Sequence, residues 1–138
     1  MTGHNLPMCY SYSKFLLYSS CTIGISAVIA YIMNDLYVTV YLLLLFLTSI
    51  NYWRKPEYGL RRNIDLTAVS IGGVYALLNI FLLKDEFHRV GLLIILFCTI
   101  VFFILEHILS YFDSPKWIVI HMALHIYFVC GTLLVIFD

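Results

Sequence analysis

Two histidines, in His121-Met-Ala-Leu-His125, stand one helical turn apart inside a segment that is otherwise apolar. Residues four apart on a helix share a face, so both rings could reach one metal ion. Buried hydrogen-bonding rings are the plainer alternative at the same spacing. Ionisable side chains inside membrane helices are costly and face a bundle interior, so they mark a functional site by default. Further polar groups interrupt the apolar runs elsewhere: Ser49, Asn51, Asp65, Glu106 and His107. Carboxylates, a hydroxyl and several imidazoles in apolar segments are groups that could form a polar site.

Five apolar segments must carry these residues. They run over about residues 15–33, 37–53, 63–83, 90–112 and 117–137, each close to the roughly 20 residues that a helix needs to cross a bilayer. Only 12% of the 138 residues are charged and mean hydropathy is +0.94, against about 25% charge in a soluble domain. The breaks between segments are short, so neighbours must be antiparallel. The sequence therefore predicts an all-α, polytopic membrane protein, an up-and-down bundle of five transmembrane helices. No linker or repeat appears, and 1–138 reads as one domain. Pro115 suits the start of the last helix, where a missing N–H costs little.

Depth brings the polar groups together. Counting 1.5 Å per residue from the flanking charges puts Ser49, Asn51, Asp65, Glu106, His107, His121 and His125 roughly 4–13 Å from one interface. Ala68, Gly72 and Ala76 repeat every four residues, a spacing that lets helix backbones approach closely. Asp65 shares their face and so points into the bundle. Lys14, Arg54, Lys55, Arg61, Arg62 and Lys116 fall on one side of the membrane, and Lys84 and Arg89 on the other. That asymmetry predicts a cytoplasmic N-terminus and a C-terminus across the membrane. Tyr52, Trp53, Tyr58, Tyr111 and Trp117 read as interfacial anchors at the cytoplasmic ends.

The order of these residues resembles the CREST superfamily of membrane hydrolases, which includes alkaline ceramidases and adiponectin-receptor-like proteins. That family carries Ser-x3-His on its second helix, an Asp about a dozen residues later, and HxxxH on its last helix. Ser49-Ile-Asn-Tyr-Trp53, Asp65 and His121-x3-His125 follow this order on helices two, three and five. The resemblance implies zinc held by His121 and His125, with Asp65 as acid/base or supporting carboxylate. It implies Ser49 as the hydroxyl that positions water or the oxyanion, and a lipid amide or ester as substrate. Trp53 stands where the family has its first histidine ligand, and the family has seven helices where five are expected here. His107 or Glu106 is then the source of a third ligand.

Two functions are consistent with the residues. One is an intramembrane, metal-dependent lipid hydrolase or an inactive relative. The other is a non-catalytic small subunit of a larger membrane assembly, with membrane proteins as partners and the polar layer closed on itself. Haem binding or an ion path is a weaker third, since adjacent rings on one helix cannot clamp one haem. With formal net charge +0 and no basic stripe, nucleic-acid binding is excluded as an expectation. Cys9, Cys21, Cys98 and Cys130 show no paired spacing and read as free thiols.

Overall fold

A computed structural model describes residues 10–57, 59–112 and 114–138. It is all-helical: α1 (Tyr10–Ile32), α2 (Leu36–Trp53), α3 (Leu60–Leu82), α4 (Glu86–Tyr111) and α5 (Trp117–Ile136). All five are long and apolar enough to cross a membrane, as the hydropathy pattern predicts. The helices begin up to five residues earlier than the apolar runs. α4 opens at Glu86, where Asp85 caps it by accepting from the Phe87 amide at 3.0 Å. Charged residues at span ends are helical too, and a hydropathy pattern alone does not see them.

The chain divides into two units, Met1–Gly73 and Val74–Asp138. In the first, α1 and α2 are joined by a three-residue reversal, Met33-Asn34-Asp35. The Asn34 amide donates to the Tyr31 carbonyl and the Asp35 amide to the Ala30 carbonyl, with Asn34 at φ 60°. This double bond pattern closes α1, and asparagine tolerates the left-handed backbone it needs. Asp35 then caps α2 by accepting from the Val38 amide at 3.1 Å. Leu16, Ile23, Ala27 and Ala30 of α1 and Val38, Leu42 and Leu45 of α2 are buried. In lipid, burial of this kind stabilises through close packing and not through escape from water.

Two buried hydroxyls on α1, those of Ser20 and Ser26, are satisfied inside their own helix. Ser20 donates to the Leu16 carbonyl at 2.9 Å and Ser26 to the Thr22 carbonyl at 3.1 Å, as an apolar surrounding requires. Tyr52 and Trp53 correct the sequence reading. Both are buried, with ring centroids 4.4 Å apart, and neither is an exposed anchor. Tyr52 continues the stripe Val38, Leu42, Leu45 and Ser49, and that register turns it inward. Tyr111 is exposed as an anchor would be, while Trp117 is half-buried. Tyr58 lies outside the described residues.

In the second unit α4 packs on α5. Glycines set how closely. A Cβ on Gly91 would stand 2.9 Å from Leu134 Cδ1, and one on Gly131 would stand 3.3 Å from Ile95 Cγ2. Each helix thus offers the other a glycine where a large side chain lies. Cys21, Cys98 and Cys130 are free thiols, in line with their spacing; Cys9 lies outside the described residues.

Candidate functional site

Ser49 and Asp65 meet in the first unit. Ser49 Oγ donates to Asp65 Oδ1 at 2.7 Å, and Thr48 Oγ1 reaches the same oxygen at 3.2 Å. Ser49 continues the buried stripe of α2, and Asp65 lies on the α3 face that Ala68 and Gly72 extend. Unlike Ser20 and Ser26 of α1, Ser49 donates across to another helix. Nearby, Tyr41 Oη donates to the Ala68 carbonyl at 3.0 Å. A buried carboxylate fed by two hydroxyls can hold a third polar group in place or simply tie α3 to α2.

His121 and His125 meet in the second unit, with ring centroids 4.9 Å apart and planes at 75°. His125 is buried and His121 half-buried. The groups that the spacing alone could not supply come from α4 and from the start of α5. Glu106 Oε1 stands 3.0 Å from His121 Nδ1, and Trp117 presents its ring near-perpendicular to His121 at 6.3 Å. A carboxylate on Nδ1 fixes the ring's orientation and leaves ligand or proton chemistry to Nε2.

No protein-family model, curated protein or solved structure matches the chain. Residues and geometry therefore carry the functional reading.

His107 is placed apart from the imidazole pair. Its ring lies 4.6 Å from that of Phe103, its Nδ1 is 3.3 Å from the Phe103 carbonyl, and the residue is exposed. Adjacent helical residues diverge by about 100°, so Glu106 and His107 cannot both face α5. Of the two, the structure brings Glu106 to His121.

A catalytic zinc takes three protein ligands and an open position. Among the described residues no group of three or more His, Cys, Asp and Glu side chains is arranged to hold a metal ion. The carboxylate-backed imidazole is typical of metal sites, but two imidazoles form only half of one. Among the described residues, those brought together do not complete a zinc centre.

Sequence reasoning missed Thr48 as a second donor to Asp65 and fixed neither Glu106 nor His107 as the partner. Thr48 precedes Ser49, so a polar pair at one helix position was visible. The choice between Glu106 and His107 rests on how α4 is rotated against α5.

Proposed function

We propose that this chain is a membrane-embedded, hydrolase-like protein acting on a lipid amide or ester, with Glu106, His121 and His125 as its reactive cluster. The observation that carries this reading is the 3.0 Å pairing of Glu106 with His121 inside two membrane spans. An imidazole oriented by a carboxylate is a general base. In this mechanism His121 Nε2 accepts a proton from water as the water oxygen bonds the acyl carbon. Glu106 stabilises the imidazolium so formed. The proton then passes to the departing amine or alkoxide, leaving a carboxylic acid and an amine or alcohol. His125, buried beside His121, restricts water around the ring. The charge asymmetry supports a topology with the N-terminus in the cytoplasm and the C-terminus across the membrane. The resemblance to the CREST superfamily supports the substrate class. The zinc that the same resemblance implies takes no part in this mechanism, since Nε2 of His121 cannot hold a metal and take up a proton at once.

One observation favours a second reading, a non-catalytic subunit of a larger membrane assembly. Leu92 is the one residue of α4 that is buried, while Phe97, Ile100, Phe103 and Ile104 are exposed. An apolar surface of this kind suits helices of a partner as well as lipid.

The deciding experiment is a turnover assay of the detergent-purified chain on a panel of lipid amides and esters, with zinc content read by elemental analysis. Wild type is compared with Glu106→Gln and His121→Ala. Hydrolysis that falls at least a hundredfold in both variants, with helical content unchanged, supports the hydrolase. Absence of turnover together with absence of bound zinc supports the subunit.

A further inference from the structure

The end of α5 is tied to the turn between α3 and α4 by a single side chain. Asp138 Oδ2 accepts from the Lys84 amide at 3.0 Å and Asp138 Oδ1 from the Asp85 amide at 2.9 Å. These two donors lie just before α4, where no helical carbonyl is available to them. A carboxylate that takes two backbone amides at once acts as a clasp, joining residues 53 and 54 positions apart in the chain.

His88, in the first turn of α4, stands against the clasp. Its Nδ1 is 3.1 Å from Asp85 Oδ2 and 3.5 Å from Asp138 Oδ1. That nitrogen is shut off from solvent and is aligned for a hydrogen bond with neither oxygen. We infer that Asp85, His88 and Asp138 form a pH-responsive latch, which grips α5 to the α3–α4 turn more tightly when His88 takes up a proton. A neutral ring brings no charge to the two carboxylates beside it. An imidazolium is attracted to both.

The surrounding charges are Lys84 and Asp85 in the turn, Glu86 and Arg89 in the first turn of α4, and Asp138 after α5. Arg89 and the positive end of the α4 dipole oppose a cation at His88. Three carboxylates favour it, two of them within 3.5 Å. The Lys84 and Asp85 amides hold the Asp138 carboxyl below the usual carboxylate range, so Asp138 remains an anion at pH 5 and above. Between pH 5 and 8 an imidazole is the side chain that ordinarily changes charge. The latch fixes α5 along α4, the same pairing that brings His121 to Glu106.

The test is amide-exchange NMR on the full chain in lipid nanodiscs, reading the protection factors of Lys84 and Asp85. In wild type, protection is expected to rise about threefold as pH falls from about 8 to 5, the size of one partly exposed ion pair. Asp138→Ala should abolish protection of both amides at every pH. Asp138→Asn keeps an acceptor and should retain part of the protection while losing most of the pH response. His88→Gln should retain protection at the upper pH and lose the response. Equal protection in wild type and Asp138→Ala overturns the clasp. A pH response that survives in His88→Gln overturns the switch.

Discussion

Ser49 and Asp65 are joined by a 2.7 Å hydrogen bond between α2 and α3, and Thr48 reaches the same carboxylate oxygen at 3.2 Å. The two hydroxyls are not equivalent. Thr48 also donates to the Leu45 carbonyl at 2.9 Å, so its proton is shared. Ser49→Ala is therefore expected to destabilise the protein by about 1–2 kcal/mol, and Thr48→Ala by less. Because both serve one acceptor, their effects should not add. Thermal unfolding of the single and double variants in detergent checks this, and equal, additive losses would refute it.

The five spans were legible because each needs a long apolar run, and lipid enforces that requirement along the whole helix. Asp65 was legible as inward-facing because Ala68 and Gly72 mark the same side of α3. What the sequence does not carry is rotation of one helix about its axis against another. Glu106 and His107 are neighbours at nearly one depth, and their difference is angular. Tyr52 and Trp53 failed as anchors for the same reason, since amphipathic rings fit an interface or a core equally well. The Asp138 clasp was invisible because its donors are backbone amides, which leave no signature in residue type.

Glu106 should control the tautomer of His121. With the carboxylate on Nδ1, the proton resides there and Nε2 carries the lone pair. In Glu106→Ala the ring should lose that preference, whereas Glu106→Gln keeps a polar partner without the charge. His107→Ala should leave His121 unchanged, since its ring lies against Phe103. Nitrogen-15 shifts of the His121 ring read all three variants. A His121 spectrum that moves with His107 and not with Glu106 would reverse the assignment.

Gly91 and Leu134 meet where α4 packs on α5. A methyl at Gly91 would stand 2.9 Å from Leu134 Cδ1, too close for undistorted contact. The obstructing atom is the tip of a flexible side chain, so Gly91→Ala should cost only about 1–2 kcal/mol. Leu134→Ala removes the obstruction and leaves a cavity of its own. The double variant should accordingly be more stable than the sum of the single losses allows, a coupling of about 0.5 kcal/mol or more. Strict additivity in thermal unfolding would show that the two helices do not meet at this pair.

Asp138 should carry an acid limb of stability. Its carboxyl titrates below 3.8 in the folded protein because the amides of Lys84 and Asp85, in that order, stabilise the ionised form, with His88 contributing less. A group with a depressed folded value stabilises fully above its unfolded value, and the contribution disappears as pH falls through the folded one. The part of the stability that comes from this carboxyl's own ionisation is thus fully present above about pH 4 and declines below it, separately from any response of His88 at higher pH. Carbon-13 titration of the Asp138 carboxyl should give a midpoint below the ordinary value. His88→Gln should move that midpoint only part of the way back, because the two amide donors remain. A midpoint at or above the ordinary value in wild type would mean that the amides do not hold Asp138. Full recovery of the ordinary value in His88→Gln would instead make the imidazole, and not the backbone, the principal partner.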